Sequence, residues 1–205
     1  MILIAFIIIM LRNPSQYDMW IATFLLYVGS MQVIEALIWL DMTKCGNTYN
    51  PIISKWLQIY LIGQIVVNTL WAYKLSPSNG IYILGASLIL LLYYIVTLNK
   101  YTYDITIGKT GHLVWNAYTI EDKPKNVYWY RTPYLVPLLT ILWFAPFFII
   151  MKKNVFKFWP FIYLAATYIY SFINGVNTNE LSSLWCFFIS FGMISLIFIP
   201  STYFI

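Results

Sequence analysis

The chain has 205 residues, of which 61% are hydrophobic and only 9% are charged. A soluble domain carries roughly 25% charged residues, so this composition excludes the water-soluble globular class and indicates a protein that has the lipid bilayer as its solvent. The formal net charge of +5 does not indicate nucleic-acid binding, because Lys and Arg lie mainly between the apolar runs, as membrane topology requires.

Seven apolar runs follow one another along the chain. A helix needs about 20 apolar residues to span a bilayer, and all runs but the first approach that length. The first run covers roughly half of the hydrocarbon core, so it is a half-span or a helix whose start precedes this chain. The runs are 2–11, 19–40, 54–73, 80–98, 133–151, 158–174 and 182–204. We predict an all-α integral membrane protein, a single domain over residues 1–205 built as a bundle of about seven transmembrane helices.

The long connection over residues 99–132 has a different pattern. Tyr103–Ile107 and His112–Trp115 alternate along the chain in the manner of strands, and the turn signal Gly108–Gly111 lies between them. We predict a small β-hairpin here. A lone hairpin is marginal in water, so it should lie on the helices or on the lipid headgroups.

The loops alternate between two sides of the membrane. Arg12, Lys74, Lys152 and Lys153 lie in short loops on one side, and basic residues in short loops mark the cytoplasmic side. The C-terminus falls on that side as well. We therefore predict a cytoplasmic C-terminus and a hairpin on the lumenal or extracellular side.

Glu35 is the only Asp, Glu, Lys or Arg well inside a predicted span. A carboxylate at that depth costs several kcal/mol unless it is protonated or paired. Gln32, Glu35 and Trp39 share one helix face, and we predict that Gln32 hydrogen-bonds Glu35 inside the bundle. The functional interpretation is a proton relay or a cation-binding carboxylate. The structural alternative is a protonated Glu that links helices through hydrogen bonds.

The next span adds three polar side chains, Gln58, Gln64 and Asn68. They either extend a polar path or form hydrogen bonds between helices.

Cys45, His112 and Cys186 fall on the same predicted side of the membrane. If that side is lumenal, a disulfide between Cys45 and Cys186 is favoured by the redox environment. With Glu35 and His112 the two thiols would make a zinc or copper ligand set. Because no tight CxxC or HxxxH spacing supports a metal, we predict neither a metal nor another cofactor. The catalytic motifs GxSxG and HExxH do not occur in the sequence, so no catalytic residue is assigned.

Three motifs occur along the chain in a fixed order: MQVIEALIW at Met31–Trp39, GHLVW at Gly111–Trp115 and SLWC at Ser183–Cys186. With these motifs the chain resembles, over nearly its whole length, a family of multi-pass membrane proteins of large DNA (giant) viruses and some bacteria. The resemblance implies a host or viral membrane and brings no assigned activity. The family's first helix is longer than run 2–11. The resemblance singles out Gln32, Glu35, Trp39, Cys45, His112, Trp115, Trp185 and Cys186.

The sequence predicts a small channel, transporter or ligand-binding membrane protein that handles a small ion or solute. Glu35 is the titrating or cation-binding group, Gln32 its partner and Trp39 a wall, while His112 and Trp115 cap the site. The chain is expected to contact the bilayer and no nucleic acid, and a homo-oligomer is left open. The alternatives are a membrane-embedded enzyme, with a second catalytic group within reach of Glu35, and a structural or assembly protein of a viral membrane.

Overall fold

The computed structural model describes residues 2–11, 14–44, 49–109, 111–119, 127–128, 135–150, 154–175, 186 and 188. Within these residues the chain is mostly helical, with one small sheet. The helices are α1 (Ile2–Leu11), α2 (Gln16–Lys44), α3 (Asn50–Leu75), α4 (Pro77–Thr97), α5 (Leu135–Ile150) and α6 (Asn154–Gly175). The strands are β1 (Tyr101–Ile107), β2 (Leu113–Thr119) and β3 (Val127–Tyr128), and the short 3-10 helix Leu98–Lys100 joins α4 to β1.

The starts of three helices follow from local chemistry. At the start of α2, Asp18 N–H donates to Ser15 Oγ at 3.2 Å while Ser15 N–H donates to Asp18 Oδ2 at 3.0 Å. This reciprocal pair satisfies backbone donors in the manner of a capping box. Pro51 and Pro77 lie in the first turns of α3 and α4, where the missing N–H of proline breaks no helical hydrogen bond.

Two segments of the described chain are long and apolar enough to cross a membrane, Gln16–Thr43 and Pro77–Lys100. The predicted seven transmembrane helices are therefore not supported. α1 has only 10 residues and α5 only 16, and α3 carries polar side chains along its middle. The predicted last span, 182–204, lies outside the described residues except at 186 and 188.

The three strands form an antiparallel sheet in the order β1-β2-β3. Between β1 and β2, Gly108 N–H donates to His112 O at 2.7 Å, and Gly111 has a φ of 83°, a conformation that favours glycine. The predicted hairpin is confirmed, with His112 in the turn instead of in the strand. β3 is a further strand that the sequence pattern did not predict.

α2 and α3 run antiparallel. Near the start of α2, Trp20 Nε1 donates to Asn68 Oδ1 at 2.8 Å, and near its end Asp41 Oδ2 accepts the N–H of Asn50 at 2.8 Å. Residues near the start of α2 therefore contact the end of α3, and residues near the end of α2 contact its start.

Two hydrophobic clusters hold the helices and the sheet together. The main core includes large side chains of α2, α3 and α5, among them Trp20, Phe24, Ile62, Ile65, Trp143 and Phe147. The second, here called the hairpin cluster, joins α2 and α3 to the sheet and consists of Met31, Ile38, Leu57, Leu61, Ile105, Leu113 and Trp115.

Candidate functional site

Glu35 lies in the second half of α2 and has only 8% of its surface exposed. It follows Phe24 by about three helical turns, so both side chains project from the same face of the helix. Phe24 packs on Trp143 and Phe147 of α5, with ring centroids 5.2 and 5.8 Å away. Glu35 therefore faces the interior of the bundle.

The hairpin cluster and Cys186 surround this carboxyl group. Met31 and Ile38 of the cluster lie about one turn before and after Glu35 on α2. Cys186 packs against the same cluster, and the Cys186 thiol interacts electrostatically with the Glu35 carboxyl. The structure thus brings together two of the four groups that the sequence analysis named as a possible metal-ligand set.

Gln32 and Trp39 lie on α2 close to Glu35. Trp39 is partly buried against the hairpin cluster. Gln32 Nε2 is buried and has no hydrogen-bond partner in the part of the chain that the structure describes. The amide therefore donates no hydrogen bond to Glu35 in this arrangement.

Trp115 joins the site from the sheet. It lies opposite Ile105 in the β1–β2 register and is 3% exposed, with its indole ring in the hairpin cluster. Trp115 therefore belongs to the same buried cluster as Met31 and Ile38 of α2, and its predicted role as a cap of the site stays a prediction. His112 lies in the turn and is half-buried, and its predicted role as a second cap stays a prediction.

The side chain of Asn50 fixes β1 to the start of α3. Asn50 is fully buried; its Nδ2 donates to Ile105 O at 2.6 Å and its Oδ1 accepts the Ile105 N–H at 3.2 Å. The amide thus hydrogen-bonds the N–H and C=O of Ile105, backbone groups of a kind that an edge strand leaves without a strand partner. Nδ2 also donates to Asp104 Oδ1 at 3.2 Å, and Ser54 Oγ donates to Asn50 Oδ1 at 2.6 Å.

Asp41 extends this network to the end of α2. Its Oδ2 accepts the backbone N–H groups of Tyr49 and Asn50 at 2.9 and 2.8 Å. A carboxylate suits this position because the N-terminus of a helix carries partial positive charge. The network, here called the Asn50 lock, connects α2, α3 and β1, and through the Ile105–Trp115 register it holds Trp115 in place.

Burial also changes the acidity of Asp104 in the lock. Desolvation raises the pKa of this carboxyl above its ordinary value of 3.8, while a hydrogen bond with the Ile105 backbone acts in the opposite direction. The protonated form is therefore favoured more in the folded hairpin than in the unfolded chain.

Gln58 is a polar residue whose place near the site the sequence did not assign. It is 2% exposed, and its Oε1 has no hydrogen-bond partner within the described ranges. On α3 it follows Leu57 of the hairpin cluster and precedes Ile62 of the main core by about one turn. Gln58 therefore lies where the two clusters meet on α3, whereas Glu35 lies between two residues of the hairpin cluster on α2.

Asn68 hydrogen-bonds between helices, which was the structural alternative for the polar residues of α3. Its Oδ1 accepts from Trp20 Nε1 of α2, and its Nδ2 donates to Trp143 O of α5 at 3.0 Å. Asn68 therefore joins three helices and does not belong to the site around Glu35.

The disulfide between Cys45 and Cys186 stays a prediction, because Cys45 lies outside the described residues. Trp185 and the other residues of the SLWC motif before Cys186 also lie outside the described residues. Within the described residues, no three His, Cys, Asp or Glu side chains come together as a metal-binding group.

Comparison with protein-family models, with curated proteins and with solved structures gave no match.

Proposed function

We propose that this chain is a multi-pass integral membrane protein that binds and moves a small ion or solute at Glu35. The observation that carries the proposal is a carboxyl group buried inside α2, in a segment long and apolar enough to cross a membrane. Ionisable residues at such positions commonly mark ion or proton pathways, because burying them without a function is costly.

The outer surface of α4 supports a lipid environment. Ile89 and Val96 are 71% and 66% exposed, and Tyr82 is 78% exposed. Large apolar side chains exposed side by side along a helix call for an apolar environment around it. Lipid acyl chains provide that environment in a multi-pass protein. Four further features remain predictions within this proposal: the cytoplasmic C-terminus, the host or viral membrane, the family resemblance and the homo-oligomer.

The surroundings of Glu35 support a site for a small ligand. Gln32 and Trp39 lie about one turn from it on α2, Cys186 interacts with it electrostatically, and Trp115 of the sheet belongs to the hairpin cluster. A solute would reach Glu35 past Trp115, so the hairpin would act as the cap of the site.

Proton and cation flux into liposomes that contain the purified protein tests the proposal. Glu35→Gln removes the charge and keeps the shape, and it should reduce flux to that of empty liposomes. Glu35→Asp keeps the carboxyl group and should restore part of the flux. Equal flux in the parent and in Glu35→Gln would overturn the proposal, and so would the absence of flux from every folded variant.

A membrane-embedded enzyme is the second proposal, because the Cys186 thiol lies near Glu35. A carboxylate and a thiol within reach of each other could act as base and nucleophile. This alternative predicts that a thiol-directed alkylating reagent labels Cys186 in the folded parent. Absence of labelling would exclude it. The third alternative, a structural or assembly protein, predicts that Glu35→Gln changes stability alone.

A further inference from the structure

We infer that the ligand of the Glu35 site is a proton, which binds to the carboxyl group itself, and that metal cations do not compete for this group. The inference rests on the proposed function, because it names the ion that the Glu35 site binds. It requires the carboxyl group of Glu35 to alternate between a charged and a neutral form.

The first step concerns the direction of the Glu35 side chain. Residues three or four positions apart line one side of a helix, and Glu35 lies in the middle of such a row on α2. The other five side chains of this row belong to the hairpin cluster or pack against it. They are Met31, Ile34, Ile38, Trp39 and Met42. The carboxyl group of Glu35 therefore projects toward the hairpin cluster.

The second step concerns the side chains that meet this row. Leu57 and Leu61 come from α3, and Ile105, Leu113 and Trp115 come from the sheet. All five are aliphatic or aromatic. A carboxylate is costly in such surroundings, whereas the cost of a protonated carboxyl group is much lower because it carries no charge. The surroundings thus favour a ligand that neutralises the carboxylate completely.

The third step concerns the oxygen atoms available for a metal cation. Hard cations are held by several oxygen ligands. The Tyr60 hydroxyl, which packs against the cluster, donates to Tyr27 O at 3.1 Å and is also hydrogen-bonded to Ser30 Oγ. The Asn50 amide is bonded to the backbone of β1. These oxygen atoms are engaged away from Glu35, and a proton needs no ligand other than one carboxyl oxygen.

The fourth step concerns the other charged and titratable groups. Cys186 packs against the hairpin cluster, and its thiol interacts electrostatically with the Glu35 carboxyl. The charged side chains and the histidine described at this end of the bundle are Asp41, Lys55, Lys100, Asp104, Lys109 and His112. Both aspartates belong to the Asn50 lock, and the lysines are exposed or bonded to Asn99. Protonation of Glu35 leaves the pair of Glu35 and a neutral Cys186 thiol without charge, which suits its apolar surroundings.

The transfer requires water as its only co-reactant. On one side of the membrane an O–H bond of hydronium breaks, an O–H bond forms on the Glu35 carboxylate, and water is released. On the other side the carboxyl O–H bond breaks and water takes the proton, which restores the carboxylate. No electron changes place between the groups. Water that reaches the site would also accept a hydrogen bond from Gln32 Nε2, which lies about one turn before Glu35.

Infrared spectroscopy of the purified protein tests the inference without a transport assay. A protonated carboxyl group has a C=O stretching band that a carboxylate lacks, so the difference between the parent and Glu35→Gln isolates the band of Glu35. This band should titrate with the same midpoint in NaCl, KCl and choline chloride. A cation that bound the carboxylate would instead lower the midpoint by about one pH unit for each tenfold rise above its dissociation constant.

Two variants keep this test sharp. Glu35→Asp retains a carboxyl group and should show a titrating band of its own, which covers the case in which Glu35→Gln does not fold. Asp104→Asn is the matched control, because it removes a half-buried carboxyl group that belongs to the Asn50 lock. In Asp104→Asn the band of Glu35 should keep its midpoint.

The outcomes separate this inference from the proposed function. A midpoint that falls as Na⁺ or K⁺ rises would overturn the inference, and so would a Glu35 band that does not titrate while the protein stays folded. If liposomes show Glu35-dependent uptake of Na⁺ or K⁺ at equal pH on both sides, the proton assignment is wrong and the proposed function stands. If the band titrates independently of metal cations but flux does not depend on Glu35, the proposed function fails and the proton site stands.

Discussion

Replacement of Asn50 by alanine tests the Asn50 lock. The substitution removes both hydrogen bonds to the backbone of Ile105, a residue that is 1% exposed and so cannot turn to water. Each lost bond contributes about 0.5 to 1.5 kcal/mol, and a buried group left without a partner costs about 1 to 3 kcal/mol. We therefore expect Asn50→Ala to lower the free energy of unfolding by about 2 to 5 kcal/mol.

Hydrogen exchange locates this effect in the molecule. In Asn50→Ala the amides of β1 should exchange faster than in the parent, because opening of the hairpin becomes easier. Asn79 is exposed in the first turn of α4, so Asn79→Ala is the matched control and should change stability by less than about 0.5 kcal/mol. Unchanged protection of β1 in Asn50→Ala, with unfolding within about 0.5 kcal/mol of the parent, would refute the proposed role of the lock.

Two further predictions concern Asp104 and the glycines of α4. Because the pKa of Asp104 is raised above 3.8 in the folded state, the unfolded chain loses its proton first as the pH rises, so stability falls from about pH 3.8 up to the folded pKa. Asp104→Asn should remove this contribution and stabilise the hairpin at neutral pH; identical pH profiles of unfolding in the two proteins would contradict this. A Cβ on Gly80 would collide with the backbone of Ala72 and Tyr73, whereas a Cβ on Gly85 would meet no atom within 4 Å beyond its chain neighbours and the nearby backbone of its own helix. Thermal unfolding should therefore show Gly80→Ala strongly destabilised and Gly85→Ala stabilised by up to about 1 kcal/mol, and equal effects would argue against the close α3–α4 turn.

The local features of the fold were predictable because they depend on neighbours in sequence. The apolar runs predicted the bounds of α1 to α6 to within about four residues at each end. The glycines after Ile107 predicted the turn of the hairpin. Glu35 was found because it is a lone charge in an apolar run. The number of membrane spans was not predictable in this way, since α3 is long but carries polar side chains whose partners the sequence does not show.

The Asn50 lock and the place of Gln58 are tertiary features. Asn50 comes before a proline at a helix start, which marks a turn but does not reveal that its amide meets Ile105 55 positions later. Gln58 and Asn68 are chemically similar amides on one helix. Only the packing of α2 and α5 shows that Asn68 Oδ1 and Nδ2 each have a partner, while Gln58 Oε1 is without a partner among the described residues.

This difference bears on whether Glu35 is a structural link or part of a site. A residue that links helices must have its polar atoms paired, and Asn68 meets that requirement with one bond to Trp20 and one to Trp143. Around Glu35 the opposite holds, since Gln32 Nε2, about one turn before Glu35 on α2, is buried without a partner in the described part of the chain. Each such atom costs about 1 to 3 kcal/mol, and replacement by leucine would avoid that cost. An unpaired amide beside a buried carboxyl group therefore favours a bound ligand over a purely structural role, because a ligand would provide the missing interaction.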